Sequence, residues 1–131
     1  MRRRAGVVLL VVVALSACTQ QQPPPPPLVR SAPDFCTHLI AGVADYTDFA
    51  GAVIVGTAVT PAERDVAASY VAALRASAPG DAAVAAALDV FTTPYELDRQ
   101  AQGQDDTSRE PVDAVALKGA TSTLLTACAT T

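Results

Sequence analysis

The sequence has few of the residues from which catalytic and metal sites are usually built. It contains one histidine, three cysteines and no tryptophan among 131 residues. The metal-binding spacings Cys-x-x-Cys and His-x-x-x-His do not occur, and neither does Gly-x-Ser-x-Gly or a phosphate-binding loop. We therefore expect no catalytic residue, no cofactor and no metal ion, and we predict that the protein is not an enzyme.

Basic and aromatic residues are also scarce. Nine Lys and Arg residues stand against thirteen Asp and Glu residues, and the aromatic side chains are three Tyr and three Phe. An acidic surface repels the phosphates of nucleic acids and the headgroups of anionic lipids. Nucleic acid is therefore not expected as a partner, and aromatic anchors for a conventional binding face are few.

The first eighteen residues have the pattern of a secretory signal. Arg2, Arg3 and Arg4 precede an apolar run over residues 7–15, which is followed by Ser16, Ala17 and a cysteine. The run is shorter than the ~20 residues that a transmembrane helix needs. Removal of residues 1–17 would change the net charge from −4 to −7, because three bases and no acid are lost.

The end of this segment, Leu15-Ser16-Ala17-Cys18, resembles the lipobox of bacterial lipoproteins. In that family the cysteine thiol receives a diacylglyceryl group, and the signal is then cut off in front of it. The resemblance implies that Cys18 carries acyl chains such as palmitate and anchors the protein to the extracytoplasmic face of the cell membrane. The alternative is an ordinary signal peptide cut near Ala17, which would leave Cys18 as a free thiol.

The remaining sequence divides into a linker and one domain. We predict a signal peptide over 1–17, a lipidated cysteine and proline-rich linker over 18–33, and a helical domain over 34–131. Five consecutive prolines, Pro23 to Pro27, favour an extended polyproline II spacer. An SH3-type ligand is the alternative, although such partners are mostly cytoplasmic. This layout resembles that of small uncharacterised lipoproteins of actinobacteria.

The domain is predicted to begin with two helices. An apolar stripe at helical spacing predicts the first helix over about 33–53, after a capping-box spacing at Ser31 and Asp34: Phe35, Leu39, Val43, Tyr46, Phe49 and Val53. Residues 53–55 could be its last turn or an extended piece. Thr60-Pro61-Ala62-Glu63 starts the second helix. Its expected buried face consists of Val66, Tyr70 and Leu74, with Ala67 and Ala78 beside it.

Two further helices follow. Asp81 is expected to cap the third, with Val84, Leu88 and Phe91 inside; a break at Thr93 and a second helical piece to about Gln102 are predicted from Thr93-Pro94. The fourth is predicted over about 110–129. Its apolar face consists of Leu117, Thr121, Leu124 and Cys128.

With Cys18 assigned to the lipid, Cys36 and Cys128 remain. An oxidising compartment favours a disulfide between them, and two free buried thiols are the alternative. In an up-down bundle of four helices the start of the first helix and the end of the last lie together. The sequence therefore predicts an all-α, four-helix up-down bundle closed by one disulfide.

We expect structural rather than functional roles for the remaining candidate residues. His38 and Asp34 share a helix face, and we expect a surface pair without an essential role. A cluster of acids is expected to form a solvated loop without a metal: Glu96, Asp98, Asp105, Asp106, Glu110 and Asp113. Tyr46, Tyr70 and Tyr95 could line a pocket between helices, but core and rim positions fit them better.

The function expected from these features is that of a membrane-anchored, non-enzymatic interaction module that docks on a protein of the cell envelope. The alternative is a carrier that holds a small apolar ligand in the bundle core. A docking module requires an exposed apolar patch on one helix pair, whereas a carrier requires an enclosed cavity lined by Tyr and Leu.

The lipobox resemblance predicts the fate of a Cys18→Ala variant. Without the thiol no lipid can be attached, so the variant should accumulate as an uncleaved precursor or appear in the medium. Cell fractionation and the apparent mass of the protein on immunoblots measure both outcomes. Normal membrane retention and processing of the variant would contradict lipidation at Cys18.

Overall fold

A computed structural model describes residues 32–105 and 108–130, and these residues form an all-α bundle. Its helices are α1 (Ala32–Val55), α2 (Pro61–Ser77), α3 (Ala82–Ala101) and α4 (Ala114–Ala129). Within the described ranges there is no β-strand. The predicted fold class is confirmed, whereas Cys18, the linker residues up to 31 and the proposed cap at Ser31 lie outside the described residues. The last two predicted linker residues, 32 and 33, belong to α1.

Helices α1 and α3 each contact the other three helices. The buried side chains of α1 follow the predicted stripe, and residues 53–55 complete its last helical turn before Gly56, whose φ of 73° ends the helix. By length and composition α1 could cross a membrane. We interpret it as a bundle helix because it supplies Phe35, Leu39 and Tyr46 to the common core.

Helix α2 begins as predicted, and its buried face is shifted from the predicted one, with Leu74 and Ala67 buried as expected. The Thr60 hydroxyl accepts a hydrogen bond from the Glu63 N–H at 3.3 Å, and the Glu63 carboxylate accepts one from the Thr60 N–H at 2.7 Å. Val66, expected inside, is 58% exposed, and Tyr70 is only half-buried. The buried residues are Ala67, Val71, Leu74 and Ser77.

The reason for this rotation lies in the contact between Tyr70 and α1. The Tyr70 ring lies over Gly42, where an added Cβ would be 2.6 Å from two ring carbons. Its hydroxyl donates to the carbonyl oxygen of Leu39 at 2.7 Å. A tyrosine at this place belongs to the edge of the α1–α2 interface, so smaller side chains of α2 face the core.

Helix α3 starts at the predicted cap and then continues through Pro94. The Asp81 carboxylate accepts from the N–H groups of Ala83 and Val84 at 2.9 and 3.0 Å. The predicted break at Thr93 is wrong, because one helix runs from Ala82 to Ala101. Proline lacks an N–H and crowds the preceding turn, so this turn requires other support.

That support comes from hydroxyl groups. The Tyr46 hydroxyl donates to the carbonyl oxygen of Phe91 at 2.8 Å. The Thr93 hydroxyl donates to the carbonyl oxygen of Asp89 at 2.8 Å. Tyr46 of α1 and Thr93 of α3 thus bind backbone carbonyl groups in the turn that precedes Pro94.

Helix α4 is shorter than predicted. Residues 110–113, expected to form its first turn, are not helical, and Pro111 precedes the helix. The carboxylate of Asp113 accepts from the Ala116 N–H at 2.7 Å, so the helix begins after this cap. Leu117 and Leu124 are buried as expected, while Thr121 and Cys128 are half-buried.

The disulfide closes the bundle. Cys36 in the first turns of α1 is bonded to Cys128 at the end of α4, with 5.5 Å between the Cα atoms and a sequence separation of 92. Contacts between α1 and α2 and between α3 and α4 are the most extensive, while those between α2 and α3 are the least. The predicted disulfide and up-down topology are confirmed.

The disulfide yields a stability prediction. Closing so long a loop should stabilise the fold by about 4–5 kcal/mol through loop-closure entropy. We expect the Cys36→Ala, Cys128→Ala double variant to lose most of this free energy of unfolding, measured by urea denaturation. A thiol reductant should lower the stability of the wild type and leave that of the double variant unchanged. Equal stabilities of the two proteins without reductant would contradict the prediction.

Candidate functional site

The α1–α2 groove is an open depression between these two helices, with a volume of about 590 Å³. Small side chains form much of its wall, including Ala41, Gly42, Ala62 and Ala73. Val66, the exposed valine of α2, lies at its edge. The groove therefore has walls of small side chains and an exposed valine at its edge, and a partner protein could cover both.

An aromatic cluster forms the floor of the α1–α2 groove. The Tyr46 ring lies 4.6 Å from Phe91, 5.4 Å from Tyr70 and 5.9 Å from Phe49, measured between centroids. Such tilted ring pairs pack favourably. Burial raises the pKa of the Tyr46 phenol, and burial also raises the pKa of Tyr70. Both hydroxyl groups donate to backbone carbonyl oxygens, Tyr46 to Phe91 and Tyr70 to Leu39.

The rim of the α1–α2 groove is acidic. Asp45 and Asp48 of α1 and Glu63 of α2 line it, and all three are exposed. Hydrogen bonds from the backbone and hydroxyl of Thr60 lower the pKa of Glu63, so it remains ionised well below neutral pH. Within the part of the chain that the structure describes, Asp45 and Asp48 have no ion-pair partner.

A second depression, the α4 groove, lies along the outer face of α4 and has a volume of about 640 Å³. Thr47 of α1 contributes to its lining together with Leu117, Lys118, Thr121, Ser122 and Leu125. It is more open than the α1–α2 groove, and its lining is formed largely by one helix. It offers a shallower contact surface for a partner than the cleft between α1 and α2.

Two of the acids expected in a solvated loop are buried in α3 instead. Glu96 and Asp98 are 4% and 8% exposed. The Glu96 carboxylate lies 2.6 Å from Arg75 Nη2 and 3.7 Å from Arg99 Nη1. Asp98 Oδ2 accepts from Arg64 Nε at 2.9 Å. The expectation was wrong because α3 continues past Thr93 and carries these acids into its contact with α2.

The other acids of that cluster remain outside the core. Glu110 and Asp113 are exposed, Asp105 is half-buried, and Asp106 lies outside the described residues. In the described ranges no three His, Cys, Asp or Glu side chains are grouped to hold a metal ion. Asp113 acts as the cap of α4, so at least one of these acids has a structural role.

The remaining candidate residues take separate positions. His38 is exposed and lies at the edge of the α1–α2 groove, and its lack of an essential role stays a prediction. Tyr46 is in the core and Tyr70 covers Gly42. Tyr95 is half-buried beneath the Arg99 guanidinium, which lies 5.7 Å from its ring centre. Tyr46 and Tyr70 thus share the lining of the α1–α2 groove, whereas Tyr95 does not line it.

Sequence reasoning missed Asp45, Asp48 and Val66 as site residues. The two aspartates lie off the apolar stripe of α1 and look like ordinary solvated charges. Val66 sits at helical spacing with Tyr70 and Leu74, which is the pattern of a buried side chain. The alanines of α2 were the available signal, because small side chains allow close helix packing and Ala67 is buried in the core.

Comparison with known proteins gives no functional assignment. No protein-family model, curated protein or solved structure matches the chain.

The buried Glu96 provides a stability prediction with a matched control. Glu96→Gln removes the charge that Arg75 and Arg99 share, and we expect a loss of about 1–3 kcal/mol in the free energy of unfolding. Asp89, 68% exposed in its side chain, pairs with Arg109 at 3.1 Å. Asp89→Asn should cost less than about 1 kcal/mol, because exposed ion pairs are weak. Urea denaturation of both variants measures the difference, and equal losses would contradict it.

Proposed function

We propose that this protein is a lipid-anchored lipoprotein of the extracytoplasmic cell envelope whose helical domain is a non-enzymatic interaction module. The lipobox-like Leu15-Ser16-Ala17-Cys18 supports the anchor. The Cys36–Cys128 disulfide supports an oxidising compartment, because such bonds persist outside the reducing cytosol. The proline-rich linker ahead of α1 would hold the domain away from the membrane surface.

The α1–α2 groove is the observation that favours docking. It is open to solvent, lies on one helix pair and presents Val66 with 58% of its surface exposed. A carrier of a small apolar ligand requires an enclosed space between the helices. Beneath the groove, the rings of Tyr46, Tyr70 and Phe91 are packed against one another, so the core there is filled by side chains. This packing supports the docking module over the carrier.

Site-specific photo-crosslinking in the native membrane tests the docking module. A benzophenone amino acid is placed at Val66 in the full-length, lipidated protein, and the matched control carries it at Val115 of α4, which is 79% exposed and outside both grooves. We expect a discrete protein adduct from position 66 that position 115 does not give.

Other results would contradict the docking module. The same adducts from both positions would show contact without use of the groove, and no protein adduct from position 66 would remove the groove as a docking surface. A lipid or other small-molecule adduct from position 66 would favour the carrier.

A further inference from the structure

We propose that the α1–α2 groove binds a basic, amphipathic helical segment of a partner protein, with Lys or Arg side chains against its acidic rim and apolar side chains on its floor. This inference rests on the function proposed above and adds the chemistry of the partner. Three features of the described structure carry it: the charge of the rim, the placement of the protein's own bases, and the shape of the groove.

The rim lacks a basic side chain other than His38. Asp45, Asp48 and Glu63 carry negative charge along it, and no Lys or Arg lines the groove. Charges of one sign around a partly apolar cleft concentrate the potential there, because the cleft wall has a low dielectric constant. A segment with positive side chains would be attracted, whereas nucleic acid and anionic lipid would be repelled.

The bases of the domain are held elsewhere. Arg64 follows Glu63 in sequence, but its side chain reaches the buried Asp98 of α3. Arg75 and Arg99 pair with Glu96, and Arg109 pairs with Asp89. Lys118 lies in the α4 groove. These placements leave Asp45 and Asp48 available to a partner's cations, and a second copy of the chain would bring the same acids to the interface.

The shape of the groove suits a helix. The residues of α1 that line it extend from His38 to Phe49, a length of about 16 Å, or three helical turns. Gly42 and the alanines add little side-chain bulk to the wall of the groove. The Tyr70 ring is held in place by the hydrogen bond from its hydroxyl to the Leu39 carbonyl oxygen. A partner helix of similar length could lie along Val66 and Tyr70 with its charged residues facing the aspartates, as in other helix-in-groove complexes.

Fluorescence anisotropy with defined peptides tests this chemistry. The lipidated protein is held in phosphatidylcholine nanodiscs, and the probe is a labelled three-turn peptide of Leu, Ala and Lys with an amphipathic pattern. We expect saturable binding that added salt weakens, since exposed charges are screened. The same peptide with Glu in place of every Lys should not bind. Absence of binding by the Lys peptide, or equal binding by both peptides, would overturn the proposal.

Two double variants separate the groove from general charge attraction. Asp45→Asn with Asp48→Asn neutralises the rim, and we expect the Kd of the Lys peptide to rise about three- to thirtyfold, the effect of losing two exposed ion pairs. The control, Asp65→Asn with Glu110→Gln, removes the same net charge at exposed positions outside the groove. Equal losses in the two variants would overturn the proposal.

The crosslink at position 66 connects this test to the native partner. In the Asp45→Asn, Asp48→Asn background the protein adduct should decrease, while it should persist in the control background. An adduct that persists in both backgrounds would overturn the basic partner and leave the docking module standing. Absence of the adduct even in the wild-type background would instead contradict the docking module itself.

Discussion

The hydrogen bond from the Tyr46 hydroxyl to the Phe91 carbonyl is the interaction on which the arrangement of the first three helices depends. It joins α1 to α3 one turn before Pro94, and it places the Tyr46 ring against Tyr70 of α2. A buried phenol requires a partner for its hydroxyl, and the Phe91 carbonyl oxygen provides it. The ring of the same side chain forms part of the groove floor.

This packing determines which charged side chains are buried and which remain exposed. Because α3 continues through Pro94, Glu96 and Asp98 reach the contact with α2. Glu96 pairs there with Arg75 and Arg99, and Asp98 pairs with Arg64. Buried carboxylates are tolerated only when they are paired, so the few bases of an acidic protein are used there. The outer surface of α1 is left with its aspartates, and the acidity of the groove follows from the contents of the α2–α3 contact.

The sequence predicted those parts of the fold that depend on neighbouring residues. The caps at Thr60 and Asp81 are local chemistry, and the positions of Cys36 and Cys128 were sufficient to indicate an even number of helices. The helical continuity at Pro94, the exposure of Val66 and the burial of Glu96 depend on side chains from another helix. Tyr46 is 45 residues from its acceptor, so no local pattern could reveal it. The candidate groove was missed for the same reason, because the Tyr70 ring that packs on Gly42 comes from another helix.

The position of the disulfide has a mechanical consequence if the domain is held by its N-terminal end, as proposed above. A pull on the chain ahead of Ala32 would tend to unwind α1 from its start. Cys36 lies in the first turns of that helix and is covalently joined to the end of α4. Tension can therefore unwind little more than one helical turn before the disulfide transfers part of it to α4.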